Sequence, residues 1–397
     1  MKANPCGMVT GEAIIGREYE IDEIWGALEK RSVLLTAERR VGKTSVLRKM
    51  SGHPRNGWIP LLCWVEQCGH PIDCVQKIYD EALEMEVQSK KGIWLNRIRA
   101  GYKALAGTEI AGWQLPLIKS DWKRLLCNLV EDVAENTGNR MLIMLDEFPL
   151  MVSKMDMSPD VGPFIAMEFL DTLRALRQEF EPSNQIRFVL SGSIGLHIVL
   201  ETLRKGHEYK SNPISGMGTI VLSGMCEADV RLMCRRYLDE EGITREDPDE
   251  FDKRMFECTD GLPLYVQYVC ERFQDAKRTK VAPDDVDRAV REMLDNRTIE
   301  GFVYAAERIE SYYAKLGRDR MAALILKRLS HEAEYFPEKA IIDYVRSQMT
   351  VEYDDVVRSA LELLWDDNYL VRDTSTGDRC YRFRYRIMRQ WWKINRG

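Results

Sequence analysis

The 397-residue sequence has no run of about 18 uncharged apolar residues, which is the length that a membrane-spanning helix requires. Its first ten residues include one lysine but no apolar stretch of the length found in signal peptides. We therefore expect a cytoplasmic protein that does not use a membrane as a partner.

Cysteine pairs with C-x-x-C spacing are also missing, although the chain has ten cysteines. A chain of this length can fold without disulfides, so we expect reduced thiols. Cys63, Cys68, His70 and Cys74 lie close together in the sequence, but their spacings fit no common zinc-ligand pattern. Three of them fall on a predicted strand and the helix after it, so we do not expect them to bind a metal.

A strong positive charge is absent, because the formal net charge is −6. Residues 372–397 contain eight Lys and Arg but two Asp, which gives this segment +6 and leaves −12 for the residues before it. This balance excludes a strongly basic, general nucleic-acid binder, whereas the basic tail favours an anionic partner for the tail alone. The composition is that of a globular protein, and the length predicts two or three domains.

The most informative stretch joins a short apolar run, residues 32–35, to helix-compatible residues that begin at Ser45. The residues between them are Thr36, Ala37, Glu38, Arg39, Arg40, Val41, Gly42, Lys43 and Thr44. A strand, a turn and a helix in this order present unpaired backbone N–H groups and the positive end of a helix dipole, which together bind phosphate. Lys43 is expected to reach the β- and γ-phosphates, and the Thr44 hydroxyl to coordinate Mg²⁺. Ala37 departs from the pattern G-x-x-x-x-G-K-[ST], and an ordinary helix start with an exposed lysine is the alternative.

A second motif follows an uninterrupted apolar run, residues 141–145, which ends in Asp146 and Glu147. Such a run is typical of a parallel strand that is buried on both faces and has its carboxyl end at the active site. Asp146 is expected to hold Mg²⁺, and Glu147 to orient and deprotonate the attacking water. We expect Thr44 and Asp146 to lie close together at the ends of neighbouring strands.

Alternating helices and apolar strands predict an α/β domain with a parallel sheet as far as residue 222. Residues 186–190 form one more predicted strand, followed by the hydroxyls of Ser191 and Ser193. A hairpin with Gly112 and Pro116 is predicted as an insertion at about residues 100–120. From Cys226 onward we predict helices alone, as far as the last hundred residues.

The last hundred residues predict three helices and a β-hairpin, the layout of a winged helix-turn-helix. Aromatic residues and arginines alternate from Tyr381 to Arg386. The wing strand should therefore bury its aromatic side chains and expose Arg382, Arg384 and Arg386. Trp391 and Trp392 are expected to pack on the core.

The ordered set of motifs resembles prokaryotic and archaeal ATPases allied to the AAA+ initiators of Orc/Cdc6 type and to the STAND NTPases. Besides the two motifs above, the set includes Ile15-Gly16-Arg17-Glu18, Leu190-Ser191-Gly192-Ser193 and Gly261-Leu262-Pro263-Leu264. The resemblance covers nearly the whole chain. It implies an AAA+/ASCE P-loop parallel sheet, a helical lid domain and a C-terminal winged helix, at residues 1–224, 225–300 and 301–397.

The resemblance also implies roles for individual residues. Ile15 and Gly16 would flank adenine, Ser193 would be the sensor residue, and Pro263 would contact the base or ribose from the lid. Arg204 matches the general location of an arginine finger, and Arg174 and Arg177 compete with it for that role. The ATP or ADP ligands would be Ile15, Gly16, Arg39, Arg40, Val41, Gly42, Lys43, Thr44, Ser45 and Pro263.

These features lead to one main function and two alternatives. The main hypothesis is a Mg²⁺-dependent ATPase that acts as a nucleotide-controlled switch or assembly regulator, with a protein partner or further copies of itself. The first alternative is a DNA-binding ATPase of loader or transposition-helper type, in which the basic winged helix contacts DNA phosphates. Against DNA, the expected recognition helix at residues 353–365 has Asp354, Asp355 and Glu362 but one arginine, Arg358. The second alternative is a nucleotide-binding scaffold without catalysis.

Overall fold

A computed structural model describes the chain except residues 6, 8–10, 90–108, 111–112, 115–121, 137–139, 194 and 376. Of residues 12, 85–89, 109–110, 113–114 and 132–136 it describes the backbone alone. The chain forms two compact units. The sheet unit consists of Glu18–Thr36 and Lys43–Val221, and the C-terminal unit of Met1–Arg17, Ala37–Gly42 and Leu222–Gly397. The three domains at residues 1–224, 225–300 and 301–397 stay a prediction.

The sheet unit is built on parallel strands. Its described strands are β1 (Val33–Thr36), β2 (Trp58–Trp64), β3 (Glu109–Ile110), β4 (Trp113–Gln114), β5 (Arg140–Asp146), β6 (Ile186–Ser191) and β7 (Gly218–Val221). Five of them pair in the order β2-β5-β6-β1-β7, with every pair parallel. Strands β3 and β4 pair antiparallel as the predicted hairpin, and the rest of that insertion lies outside the described residues.

The strand order corrects one expectation. Strands β1 and β5 are not neighbours, because β6 pairs with both of them. Both β5 and β6 are almost fully buried along their length, since helices cover the two faces of a parallel sheet. The register pairs Leu145 with Leu190 and Ser191 with Leu35. The carboxyl ends of β5 and β6 therefore lie side by side, with polar residues following each apolar run.

The helices of the sheet unit present apolar stripes to this sheet. They are α1 (Glu18–Leu28), α2 (Lys43–Gly52), α3 (Pro71–Ser89), α4 (Trp122–Asn136), α5 (Phe148–Met157), α6 (Gly162–Phe180) and α7 (Leu196–His207). In α1, for example, Ile21, Ile24, Trp25 and Leu28 are buried, at the spacing of one helix face. Helix α5 was not predicted, because its ten residues follow the β5 motif directly.

The C-terminal unit is mainly helical. Its described helices are α8 (Glu227–Tyr237), α9 (Pro248–Thr259), α10 (Pro263–Asp275), α11 (Pro283–Asp295), α12 (Glu300–Arg308), α13 (Asp319–Ser330), α14 (Glu338–Gln348), α15 (Asp354–Asp366) and α16 (Arg386–Asn395). Strands β8 (Thr244–Arg245) and β9 (Lys280–Val281) form a short parallel pair, so the expectation of helices alone after Cys226 is wrong. Among the described helices of the chain, none is both long and apolar enough to cross a membrane.

Helices α13, α14 and α15 are followed by the predicted hairpin, and a further short strand between α13 and α14 extends it to a three-stranded antiparallel sheet. Its strands are β10 (Phe336–Pro337), β11 (Leu370–Asp373) and β12 (Cys380–Phe383), in the order β10-β12-β11. Tyr381 and Phe383 are buried as expected, but Arg382 is half-buried because its guanidinium lies over the Tyr335 ring. Arg384 is also half-buried, whereas Arg386 is exposed. Trp391 and Trp392 are buried, as expected.

Candidate functional site

In the sheet unit, Thr44 and Asp146 meet although their elements are not adjacent in the sheet. Thr44 lies in the first turn of α2, and Asp146 is the last residue of β5. The Thr44 hydroxyl donates a hydrogen bond of 2.7 Å to Oδ2 of Asp146. Asp146 is 1% exposed, so its carboxylate depends on protein donors rather than on bulk water.

The second carboxylate oxygen of Asp146 has two further donors. The Ser191 hydroxyl donates to Oδ1 at 3.0 Å, and the Glu147 backbone N–H donates to the same atom at 3.1 Å. Ser191 ends β6, and the register of β5 and β6 brings it beside Asp146. Hydrogen bonds to both oxygens fix the orientation of the Asp146 carboxylate.

Glu147 is held by Ser193. Its Oε2 accepts hydrogen bonds from the Ser193 hydroxyl at 2.7 Å and from the Ser193 backbone N–H at 2.8 Å. Glu147 has φ 60° and ψ 31° and stands immediately before α5, a left-handed conformation that is uncommon for a residue with a side chain. The predicted general base and the predicted sensor residue are therefore in direct contact.

Lys43 begins α2 and is buried, with 5% of its surface exposed. The first turn of a helix has unpaired N–H groups and a partial positive charge. Ser45, in the same turn, is half-buried. These features are those expected of residues that follow a phosphate-binding loop.

Residues 37–42, which we call the phosphate loop, belong to the C-terminal unit. The Arg40 guanidinium forms an ion pair with the Glu300 carboxylate, and the Arg39 guanidinium lies 3.4 Å from the centroid of the Tyr304 ring. Gly42 has φ 104° and Arg40 has φ 66°, so the backbone turns through conformations that favour glycine. Both arginine side chains thus engage α12, a contact that the sequence analysis did not predict.

Arg17 holds the loop from another side. Its guanidinium, which is 3% exposed, donates to the Val41 carbonyl at 2.7 Å and to the Ser223 carbonyl at 2.8 Å. Its backbone N–H donates to Asp229 Oδ2 at 3.2 Å. Gly16 has φ 67°, and a Cβ there would lie 2.3 Å from the Asp229 carboxyl carbon, so no larger residue fits.

The predicted base-binding residues Ile15 and Pro263 lie in the C-terminal unit. Ile15 is buried, at 9% exposure, and Pro263 begins α10. Gly261 approaches the backbone closely, since a Cβ there would lie 2.2 Å from the Met225 carbonyl oxygen. This approach explains the glycine of the Gly261-Leu262-Pro263 motif.

The three candidate arginine fingers differ in exposure. Arg177 is buried, and its guanidinium donates to the carbonyls of Pro213 and Ser215. Burial lowers the pKa of Arg177 to about 10. Arg174 is half-buried and donates to the Ser211 hydroxyl at 3.2 Å, whereas Arg204 is exposed near the end of α7. Arg204 is therefore the one of the three whose side chain a neighbouring molecule can reach most readily.

The oxygens around Asp146 fit a magnesium ion. Mg²⁺ prefers six oxygen ligands at about 2.0–2.1 Å and takes one or two from carboxylates, with the rest from phosphates and water. The oxygens of the Thr44 hydroxyl and the Asp146 carboxylate are 2.7 Å apart, which is close to the separation of two adjacent ligands in such a shell.

Within the described part of the chain, no cluster of three or more His, Cys, Asp or Glu side chains could hold a metal. Cys63, Cys68 and Cys74 are buried among apolar side chains.

The sequence alone indicates no role for Arg17, Asp229, Glu300 or Tyr304. Arg17 follows Gly16 in a motif that was recognised, so its position offered a signal. The other three lie 212 or more residues from the segments they contact, and no local pattern could have indicated them. Ser191 was noted as a polar residue after its strand, but its contact with Asp146 depends on the register of the strands.

No protein-family model and no curated protein sequence matches the chain. Among solved structures, a Walker-type ATPase of Pyrococcus abyssi is similar with TM-score 0.60 and 18% identity, over 97% of this chain and 97% of that chain. The ORC2 protein of Aeropyrum pernix, in ADPNP–ADP complexes, has TM-score 0.47 and 14% identity, over 94% and 90% of the two chains.

The likeness to the Pyrococcus abyssi structure is one of overall fold. One strand, β6, separates the strand before the phosphate loop from the strand that ends in Asp146, as the AAA+/ASCE resemblance implies. The chain therefore has the AAA+ type of P-loop NTPase fold.

Proposed function

We propose that the chain binds and hydrolyses ATP with Mg²⁺, yielding ADP and phosphate. The observation that supports this most directly is the meeting of the Thr44 hydroxyl, the Asp146 carboxylate and the Ser193-bound Glu147 carboxylate at the carboxyl ends of β5 and β6. A lysine at the start of α2 completes the set of groups that phosphoryl transfer from ATP requires. The fold alone does not specify this chemistry, so the proposal depends on these residues.

Each residue has a distinct role in this proposal. Lys43 and the N–H groups at the start of α2 bind the β- and γ-phosphates. Thr44 and Asp146 would hold Mg²⁺, which would neutralise charge on the phosphate oxygens. Glu147 accepts a proton from the attacking water, and the two hydrogen bonds from Ser193 keep its carboxylate in one orientation.

The phosphate loop and the lid supply the remaining proposed ligands. Backbone N–H groups of Arg39, Arg40, Val41 and Gly42 would bind phosphate oxygens, with Ser45 beyond them in α2. Ile15, Gly16 and Pro263 would contact the adenosine. Arg204 of one subunit would act as an arginine finger on the nucleotide bound to a neighbouring subunit. Its exposure is consistent with that role.

We further propose that the nucleotide controls a conformational switch or an assembly. In the C-terminal unit, the residue before Gly261 is tied to the last helix, because Asp260 Oδ2 accepts a 2.7 Å hydrogen bond from the Ile387 N–H. The Phe302 ring stacks between Tyr265 of α10 and Trp391 of α16, at centroid distances of 4.6 and 5.4 Å. A change at residues 260–263, which we call the lid loop, would thus be passed to the C-terminal helices. The partner is a protein or further copies of the chain.

The charges of the winged helix favour this switch over DNA binding. Arg358, in the helix that would enter a DNA groove, pairs with Glu338 at 2.9 Å and Asp355 at 2.8 Å. Arg379, next to the wing strand, lies within 3.8 Å of carboxylates of Glu338 and Glu362. Neighbouring acids therefore offset these cations, and a phosphate backbone would have to displace them. DNA binding stays the alternative proposal.

Replacement of Glu147 by Gln tests the catalytic proposal. Gln keeps the side-chain size but cannot accept the water proton, so we expect ATP hydrolysis to fall about 100-fold or more while ATP binding persists. Phosphate release and ATP affinity are measured side by side. Glu168→Gln, which changes an exposed acid on α6, is the matched control and should leave both unchanged. Hydrolysis at the parent rate would contradict the role of Glu147, and binding without hydrolysis in the parent would favour the scaffold.

A further inference from the structure

The contact between the phosphate loop and α12 joins two adjacent arginines to one face of a helix. Glu300 and Tyr304 are four residues apart and therefore lie on the same side of α12. Arg40 pairs with the Glu300 carboxylate, and Arg39 stacks on the Tyr304 ring at 3.4 Å. Two independent contacts, one ionic and one cation–π, thus place both arginine side chains against one face of α12.

Helix α12 is itself firmly anchored. Gly301 packs so closely that a Cβ would lie 2.7 Å from side-chain atoms of Leu264 and Tyr265. Phe302 is fully buried. The Tyr369 hydroxyl donates to the Ala305 carbonyl at 2.7 Å, and Arg308 forms a buried ion pair with Asp367. The helix therefore presents Glu300 and Tyr304 from a fixed support.

Arg40 has donors left for an anion. A guanidinium has five N–H donors in a planar fork, and Arg40 Nε is buried without a hydrogen-bond partner in the described structure. The side chains of Arg40 and Glu300 remain 30% and 38% exposed. An ion pair with that exposure is weak, so a phosphate group with more negative charge can compete for the same guanidinium.

We propose that Glu300 and Tyr304 are positioning residues for the phosphate loop, and that Glu300 competes with nucleotide phosphates for Arg40. Phosphate binding releases Arg40 from Glu300, and this exchange connects nucleotide occupancy to α12. The inference rests on the proposed function, because Arg40 stands three residues before Lys43 in the loop predicted to bind phosphate. It adds a charged residue of the C-terminal unit to the determinants of nucleotide affinity.

Glu300→Gln tests the competition. Gln keeps the shape of the side chain and removes its charge, so Arg40 becomes available to phosphate. We expect the dissociation constants of ATP and ADP to fall roughly five-fold, the scale of one partly exposed ion pair. Adenosine, which has no phosphate, should bind as in the parent. For hydrolysis, KM should fall with kcat unchanged. Calorimetric titration of the full chain provides the affinities.

A double-mutant cycle with Arg40→Gln shows whether Glu300 acts through Arg40. Arg40→Gln should weaken ATP and ADP binding, and adding Glu300→Gln to it should change nothing further. Glu307→Gln is the control, because this exposed acid lies on the same helix about 10 Å further along. It removes an equal charge away from the loop and should leave the affinities at parent values.

The failures of the two proposals are distinguishable. A parent protein that binds neither ATP nor ADP would overturn the proposed function and this inference together. A parent that binds both, with Glu300→Gln equal to the parent or weaker, would overturn the competition alone. An increase in ATP affinity on Glu300→Gln that persists in the Arg40→Gln background would also overturn it. So would an equal increase in ATP affinity on Glu307→Gln, or an equal increase in adenosine affinity on Glu300→Gln.

Discussion

At the residue scale, the site depends on carboxylates whose partners come from different elements. Asp146 accepts hydrogen bonds from Thr44 of α2 and Ser191 of β6. The sequence predicted Asp146 and Thr44 correctly as partners, since an apolar run ending in an acid and a Gly-Lys-Thr sequence each indicate a strand end or a helix start. It could not predict Ser191 as a partner, because that contact follows from the strand register.

Asp260 is a second carboxylate whose surroundings have a measurable consequence. Burial raises the pKa of Asp260 to about 6, although the Ile387 N–H and the charges of Arg386 and Arg382 act in the opposite direction. The folded state therefore binds the proton more tightly than the unfolded chain, whose Asp has a pKa of about 3.9. Protonation of Asp260 stabilises the fold below pH 4, and this contribution is lost as the pH rises through 6.

Replacement of Asp260 by Asn should remove this pH dependence. Asn accepts the same hydrogen bond and tolerates the left-handed backbone, φ 52°, of this position. We expect the stability of the parent relative to Asp260→Asn to fall between pH 4 and pH 6.5, by on the order of 2 kcal/mol, and to stay constant above that. Thermal unfolding of both proteins across this range measures it. Parallel curves throughout would contradict the raised pKa.

At the element scale, the sequence predicted the buried strands well and their order only through the family resemblance. Residues 141–145 are apolar without interruption, and residues 186–190 are apolar apart from the buried Arg187, because the strands they form are covered on both faces. Neighbouring positions for β1 and β5 were expected from the two motifs, but no periodic signal encodes which strands pair. The interposed β6 is what brings Ser191 and Ser193 to Asp146 and Glu147.

The contacts of the phosphate loop could likewise not be predicted from the sequence. Its sequence indicates a turn before a helix, but its supports are Arg17 and α12, which are distant in the chain. The Arg17 guanidinium bonds to the carbonyls of Val41 and Ser223. Such charged hydrogen bonds, when buried, stabilise more than those between neutral groups. Arg17 therefore connects the loop to the segment that leads into α8.

Arg17→Met should loosen this connection. Met fills a similar volume but leaves the Val41 carbonyl without its donor, so we expect the free energy of unfolding to fall by about 2–3 kcal/mol. The melting temperature should fall by roughly 2–4 °C. Arg55→Met is the control, because Arg55 forms an exposed ion pair with Asp22 and should change stability by about 0.5 kcal/mol or less. Equal effects of the two substitutions would show that Arg17 is not a structural support.

At the scale of the whole molecule, the two compact units are interleaved along the chain. Residues 1–17 and the phosphate loop belong with residues 222–397, although Glu18–Thr36 and Lys43–Val221 form the other unit. Shifts in composition and Asp, Pro or Gly residues between elements locate boundaries along a sequence and therefore predict contiguous domains. The division into two interleaved units could not be foreseen from them. The proposed switch gains a physical basis from it, because the phosphate loop, the lid loop and the C-terminal helices share one unit.

The central claim is that Lys43 and the elements around it bind the phosphates of ATP with Mg²⁺. Calorimetric titration of the parent and of Lys43→Ala with ATP and Mg²⁺ tests it, with Lys49→Ala on the same helix as the control. The account predicts that the parent and Lys49→Ala bind alike, and that Lys43→Ala loses at least about ten-fold in affinity. Equal affinity of Lys43→Ala and the parent would contradict the account.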